Sequence, residues 1–426
     1  MKQTFSESQE KLILLLLASI QFAHTMDFMV MMPLGPQLMR LFNLSPAEFG
    51  QIVSAYGISS GIAGFILAPF IDRYDRKQFL RFCMIGLFAG TLLCGLAPTA
   101  SILLLARCIA GFFGGALGGL VQAVISDVFP PQRRGYAISR VMIAFSISSI
   151  LGLPVGLALA NRFGWHMPFF IVSAMLLILF FAALIRFPRM VSHIDNTVTT
   201  KERVKQLSHL FVERQAIVGF MMTFFIIAGQ FMVITYISPF IVKNLGFSES
   251  YLPLMYFLGG AASIITMPLI GKATDAHGTS KIFPAGVLIS IFPLFVLTHL
   301  TTTNIYVILS VTTLFMICMG ARMVPYSSLL TTVVEPQKRG AYLSMNSSVQ
   351  SLAQGGAALL GGVLISENAA GQLEGYGLSG WIAAVFSLIT IGLGYQIAKA
   401  GASSAQQTSS MLPSQQQPTS ESADPT

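Results

Sequence analysis

Four ionisable side chains lie deep inside long apolar stretches of this sequence: His24, Asp27, Arg107 and Arg322. A charge placed in an apolar run of membrane length is expensive to keep and marks a functional site by default. A carboxylate and a guanidinium suit proton chemistry. Burial disfavours a charge on the carboxyl and a nearby arginine favours it, so a cycle that changes their separation takes up and releases a proton. Asp27 is read as the proton-coupling carboxylate and Arg107 as its partner; the alternative is a static pair that fixes helix packing. His24 stands one helical turn from Asp27 on the same face, and either shares the proton or hydrogen-bonds the carboxylate. Arg322 is the candidate for an anionic or polar group of a substrate, with pairing to a backbone carbonyl or another helix as the alternative. A polar stripe at i, i+3, i+4, i+7 (Ser347, Gln350, Ser351 and Gln354, with Asn346 beside it) is read as cavity lining, joined by Tyr56, Gln230, Tyr236 and Tyr326.

The elements that position these groups follow from composition. Of 426 residues, 54% are hydrophobic and only 10% charged, against about 25% charged in soluble chains. Mean hydropathy is +0.71. These values exclude an ordinary soluble enzyme, a disordered chain and a nucleic-acid binder; the net charge of +8 is read as basic loops facing an anionic membrane surface. Apolar runs of membrane length occupy roughly 12–38, 47–71, 79–97, 102–128, 135–160, 166–187, 215–241, 251–273, 282–299, 305–333, 340–365 and 378–398. They are continuous rather than alternating, which favours helices over a β-barrel. The four cysteines all fall inside apolar runs without paired spacing, so neither a disulfide framework nor a zinc site is expected.

Orientation follows from the basic residues. With the N-terminus cytoplasmic, about 20 of the 25 Lys and Arg fall on inner segments. Only Arg40, Arg162 and Lys243 fall outside, and Arg107 and Arg322 lie within spans. Both termini are therefore expected in the cytoplasm. Asp27 then lies about 22 Å from the inner face and Arg107 about 8 Å from the outer one, close enough for the long arginine to reach.

The two halves of the chain repeat. At an offset of 203, Asp27-Phe28-Met29-Val30 faces Gln230-Phe231-Met232-Val233, Pro36 faces Pro239 and Arg40 faces Lys243. Asp72 likewise faces Asp275. At 205, Pro131-Gln132-Arg133-Arg134-Gly135 faces Pro336-Gln337-Lys338-Arg339-Gly340. Six spans per half keep the same membrane orientation, so the repeat is parallel, about an axis along the membrane normal. The expected fold is an all-α membrane protein of twelve transmembrane helices in two six-helix bundles. Residues 1–187 form the first bundle, 188–214 a cytoplasmic central loop with a short amphipathic helix around Leu207, Leu210 and Phe211, and 215–400 the second bundle. The Ser/Gln/Pro-rich tail 401–426 is expected to be disordered.

The segment Ala68-Pro69-Phe70-Ile71-Asp72-Arg73-Tyr74-Asp75-Arg76-Lys77 resembles the loop motif of the major facilitator superfamily, and the resemblance covers about residues 10–400. Both motif glycines are replaced here, while the second copy keeps Gly271, Asp275 and Gly278. The resemblance implies that Asp72, Arg73, Arg76 and Lys77, with Asp275 in the second half, latch the outward-open state. Arg107 followed by Gly111, Gly114 and Gly115 is similar to the family's fourth-span arginine motif, linked there to proton transfer. Gly152-Leu153-Pro154-Val155-Gly156, then Gly164-Trp165, departs from the Gly-Pro signature of the drug:proton antiporters and looks more like the sugar- or arabinose-efflux branch. Gly152, Pro154 and Gly156 are placed in gating, with close helix packing as the alternative.

The function implied is a secondary active transporter working by alternating access, most simply proton-coupled efflux of a small organic solute. A proton-coupled uptake symporter and a non-transporting membrane sensor are the alternatives. Walker, Rossmann, HExxH and GxSxG fingerprints are missing from the sequence, so no cofactor, no metal and no enzyme activity are expected. The expected partners are a small-molecule substrate, protons and the lipid bilayer, with no nucleic acid. The chain is expected as a monomer in a bacterial cell inner membrane.

Overall fold

The computed structural model describes residues 6–411, apart from 72, 192–199 and 336–337. Its first series of helices is α1 Glu7–Met29, α2 Gly35–Leu41, α3 Pro46–Ile71, α4 Arg76–Leu96, α5 Ala100–Val128, α6 Pro131–Ile147, α7 Leu153–Phe163 and α8 Met167–Arg186. A short linking helix, α9 Thr200–His209, follows. The second series is α10 Arg214–Ile234, α11 Ile237–Leu245, α12 Leu252–His277, α13 Thr279–Thr298, α14 Ile305–Ala321, α15 Met323–Leu330, α16 Arg339–Leu364 and α17 Tyr376–Met411. A small hairpin, β1 Ser366–Glu367 with β2 Leu373–Glu374, links the last two.

Several of these pieces join end to end, giving 11 helical stretches long and apolar enough to cross a membrane among the described residues. The twelfth is α16, which has the length, 26 residues, but carries the Asn346–Gln354 polar stripe that lowers its hydropathy. Helices suit a lipid setting because each satisfies its backbone polar groups internally. α1 is opened by a capping box in which Ser6 and Gln9 exchange backbone and side-chain hydrogen bonds.

The chain is not continuous helix where hydropathy is continuous. α1 stops at Met29 and α2 begins at Gly35; Pro33 and Pro36 lack the N–H that would extend the first helix. The corresponding helix of the second half breaks between Ile234 and Ile237, and the offset of 203 carries the first break onto the second. Residues 148–152 form a π-helical turn ahead of Pro154, a common way to absorb a register change within a helix. Of the tail expected to be disordered, residues 401–411 continue α17 to Met411, and 412–426 lie outside the described residues. That stretch is rich in Ala, Ser and Gln and contains no proline before Pro413, so nothing in it stops a helix. The central linker does contain a helix, α9. Beyond its end Leu210 is buried and Phe211 stacks on Phe220 at 4.9 Å.

The buried side chains fall into three clusters. One belongs to the first bundle, running from Ile13 to Met190, and a second is built from buried residues between Leu210 and Ile397. The third is shared, joining Val30, Leu34, Leu38 and Phe49 to Val233, Tyr236, Ile237 and Phe240. It lies away from the basic loops; nearer those loops each half has its own cluster, with Phe65 and Ala68 of α3 packed against that of the second half.

α3 and α16 form the main seam between bundles. A Cβ on Gly57 would come within 2.7 Å of Gly355 N and one on Gly61 within 2.5 Å of Leu352, so the backbones approach as only small residues allow. Ser60 donates to Ser351 across the same seam at 3.2 Å. Replacing Gly57 with Leu is expected to disfavour this packing by about 1–3 kcal/mol. The check is maleimide labelling of a Ser351→Cys variant in a background lacking the four native cysteines; Gly57→Leu should raise its rate.

Candidate functional site

Asp27 falls in the last turn of α1, where carbonyls lose their intrahelical partners. Arg107, from α5, meets both needs of that residue: its NH1 donates to the Asp27 carbonyl at 3.0 Å and lies 3.5 Å from Oδ2 of the carboxylate. Both side chains are fully buried. The guanidinium also sits over the Tyr56 ring of α3, 4.3 Å from its centroid, a favourable cation–π contact. His24 completes the group, its ring 6.1 Å from that of Tyr56.

The glycines of α5 make this approach possible. A Cβ on Gly111 would collide with the Tyr56 backbone and Ser59, and one on Gly115 with Ser60. At Gly114 it would strike the Tyr56 hydroxyl and lie 2.9 Å from the His24 ring. The glycines after Arg107 thus let α5 lie against α3 and α1. Gly152 and Gly156 likewise face α1, where added Cβ atoms would lie 3.4 and 3.1 Å from Met26. Pro154 opens α7 directly after the π-helical turn.

The second bundle differs. Gln230, the counterpart of Asp27, has a buried Oε1 without a hydrogen-bond partner among the described residues. Beside it in sequence, Phe231 meets its own repeat counterpart Phe28 across the bundles, ring centroids 5.8 Å apart. Arg322 is fully buried at the break between α14 and α15. It donates to the Ser387 hydroxyl and to the Ile226 carbonyl, each at 3.1 Å, tying α17 and α10 together. Tyr326 donates to Thr223 at 2.8 Å, and Thr223 lies 2.6 Å from Asn346 Oδ1. Tyr236 is buried too and donates to the carbonyls of Ala358 and Pro46, at 2.9 and 3.2 Å. Gln350 and Gln354 stay partly exposed on α16.

At the basic end, Asp72 lies outside the described residues. Its neighbours are placed: Arg76 is buried, pairs through Nε with Asp127 of α5 at 2.8 Å, and donates to the Ile71 carbonyl. Asp75 caps α4, accepting from the backbone N–H of Lys77 and of Met190. The ends of α3, α4 and α5 and the strand of chain after α8 are thereby tied together. Arg73 and Asp275 are exposed, and Lys77 is partly so.

The opposite end carries a second set of contacts. Arg40 grips Glu249 with two bonds, 2.7 and 3.3 Å, and Asn161 donates to the Glu249 carbonyl at 3.1 Å. Gln37 donates to Asn161 at 2.6 Å. These bonds join the first half to the second. Arg40 is two-thirds exposed, so the pair contributes at most about 1 kcal/mol. Glu249→Arg is expected to loosen this end several-fold and Arg40→Glu with Glu249→Arg to restore it. Labelling of a cysteine placed at Gln37 reads the effect.

Residues 17–237 and 219–414 each match the family model of the Major Facilitator Superfamily. The chain belongs to that superfamily. One match falls on each half, as the internal repeat requires. Relatives include the uncharacterized MFS-type transporter YbcL of Bacillus subtilis (strain 168), 24% identical over 356 residues, or 83% of this chain and 89% of that one. Multidrug resistance protein 2 of the same organism is 24% identical over 380 residues, covering 86% of this chain and 92% of that one. Among solved structures, a bacterial homolog of the human lysosomal transporter Spinster superposes with a TM-score of 0.72 at 17% identity, covering 94% of this chain and 99% of that one. A D-xylose-proton symporter superposes with a TM-score of 0.72 at 18% identity, covering 91% and 97%. This major facilitator is therefore a multi-pass membrane transporter of a small molecule, built from two six-helix bundles.

The sequence pointed to Asp27, His24 and Arg107 together, and the structure places them in one cluster with Tyr56. It scatters the second-half residues: Arg322, Tyr236, and Tyr326 with Asn346 occupy three separate places. Glu249, Thr223 and Asp127 escaped the sequence reading. Asp127 and Glu249 sit at span ends, where acidic residues are common, and Thr223 is one hydroxyl in an apolar helix; nothing local distinguishes them.

Proposed function

We propose that this transporter exports a small organic solute in exchange for protons, as a monomer in the cell inner membrane with both termini cytoplasmic. The observation that carries the reading is the buried Asp27–Arg107 pair, whose separation of 3.5 Å is an ion pair without a tight hydrogen bond. A proton added to the carboxylate removes the attraction, so protonation and the position of Arg107 are coupled. The guanidinium stands where a sodium ion would have to sit, which favours the proton as the coupling ion.

The Arg40–Glu249 contacts hold the far end of the bundles together, and on this reading the solute enters from the basic end. In the proposed cycle, Asp27 is ionised in the inward-facing state and solute enters between the bundles from the cytoplasm. Opening of the other end exposes the site to the exterior, a proton binds Asp27 as solute leaves, and the return carries the proton in. In that outward-open state the loop residues Asp72, Arg73, Arg76 and Lys77, with Asp275, act as the latch. Gln230, Asn346, Gln350, Gln354 and Tyr326 are assigned to the cavity wall of the second bundle, with Arg322 and Tyr236 behind it, and Gly152, Pro154 and Gly156 to the bending of the fifth span. The relative named Multidrug resistance protein 2 supports export over uptake.

Proteoliposomes with a pH gradient imposed in either direction test direction and coupling. Ethidium and D-xylose serve as cationic and sugar probes. Export coupling predicts accumulation of a transported probe on the acidic side and its collapse with a protonophore. Accumulation on the alkaline side instead identifies a symporter.

A further inference from the structure

The Asp27 cluster holds more polar atoms than its protein neighbours satisfy. Both ring nitrogens of His24, the Tyr56 hydroxyl, and Nε and NH2 of Arg107 are buried without a hydrogen-bond partner among the described residues, and the Asp27 carboxylate has only Arg107 NH1 at 3.5 Å and a loose contact from the Thr91 hydroxyl. They belong to one place. Arg107 touches Asp27 and covers Tyr56, Thr91 sits beside Asp27, and the Tyr56 hydroxyl and His24 ring flank the same point next to Gly114. The Cys94 thiol adjoins Arg107 from α4. Across the molecule, the buried Thr223, Tyr326 and Asn346 solve the same problem by bonding to one another. Buried polar groups are paired with protein or with water, and internal waters typically bridge about three such groups.

Exposure adds a direction. Asp27, Arg107 and Thr91 have no exposed surface and Tyr56 has 2%. His24 alone of the five is partly exposed, and it lies one turn nearer the basic end than Asp27. Asp27 therefore has no contact with solvent of its own, and His24, whose ring nitrogens are also buried, is the group of the cluster that lies nearest to exposed surface.

We propose that this cluster binds a short chain of internal water, and that protons pass between Asp27 and the space between the bundles through this water and His24. The inference rests on the reading of Asp27 as the proton carrier. The step balances within the cluster. One imidazole nitrogen of His24 gives its proton to water, and that water gives one of its own to the Asp27 carboxylate, forming the O–H bond. The other imidazole nitrogen takes a proton from a second water of the chain, which is reprotonated in turn from the space between the bundles. Release runs the same bonds backwards, with the Tyr56 hydroxyl holding the water in line. Arg107 and Cys94 face the chain but do not exchange the proton.

The test needs no substrate. Full-length protein in nanodiscs is subjected to a pH jump and followed by time-resolved infrared spectroscopy. The carboxyl C=O band of Asp27 is assigned by its loss in Asp27→Asn. His24→Gln is expected to slow the rise of this band by about 100-fold, in line with the usual contribution of a proton-transfer group. Its amplitude should be retained, which also shows that the variant is folded. Tyr56→Phe, which keeps the ring under Arg107, should slow it as well. Water labelled with oxygen-18 should shift O–H stretching bands in the wild type, and Tyr56→Phe, which removes the hydroxyl that holds the water, should weaken them. An unchanged rate in both relay variants, loss of the band in His24→Gln, or no label-sensitive water band overturns the relay. A wild-type band that fails to titrate overturns the reading of Asp27 itself.

Discussion

Asp27→Asn is expected to lower pH-gradient-driven transport by about 100-fold or more while leaving solute exchange at equal pH on both sides intact. The substitution is nearly isosteric. The bond from Arg107 to residue 27 that matters for packing ends on the backbone carbonyl, at 3.0 Å, and survives the change. What is lost is the group that can bind and release a proton. Exchange needs only the rocking of the two bundles around an occupied site, so it separates coupling from assembly. Proteoliposomes loaded with a transported probe give both measurements on one preparation. Full gradient-driven flux in the variant would remove Asp27 from the coupling step. Loss of exchange as well would mean that the carboxylate holds the structure rather than the proton.

The span boundaries were legible because hydropathy changes sharply where lipid ends. The run read as 47–71 is helix Pro46–Ile71, and that read as 102–128 is Ala100–Val128. The run read as 12–38 fared differently: helix stops at Met29 and resumes at Gly35. Hydropathy is blind to this break, since Val30, Met31, Met32 and Leu34 stay apolar and buried. The prolines that cause it were in plain view, but in membrane helices proline is tolerated often enough to be passed over. In the second half the break at Thr235 and Tyr236 is followed by Pro239, the counterpart of Pro36, so the repeat points to both breaks. Depth arithmetic brought Asp27 and Arg107 to similar heights because rise per residue is fixed. No such arithmetic links Arg40 to Glu249, which are distant in sequence and meet only because the bundles close. For the same reason Asn346 reads as cavity lining in a helical stripe, yet in this state it bonds inward to Thr223.

Arg107→Ala is expected to be among the most damaging single changes in the protein, costing about 3–5 kcal/mol of stability. Removing the arginine leaves a fully buried carboxylate beside an unmet backbone carbonyl, and it opens the space under the Tyr56 ring. The cost belongs mainly to the charge left behind. Asp27→Asn should therefore rescue Arg107→Ala in large part, although the double variant transports nothing against a pH gradient. Arg107→Lys offers a sharper comparison. An ammonium keeps the charge but has no planar fork to serve the carbonyl and the carboxylate together while lying over an aromatic face. It should fold better than the alanine variant and still fall short of wild type. Thermal unfolding in detergent, followed through Trp165 and Trp381, ranks the four proteins. If the double variant is no more stable than Arg107→Ala, the arginine acts through packing alone, and the electrostatic coupling assigned to the pair is lost with it.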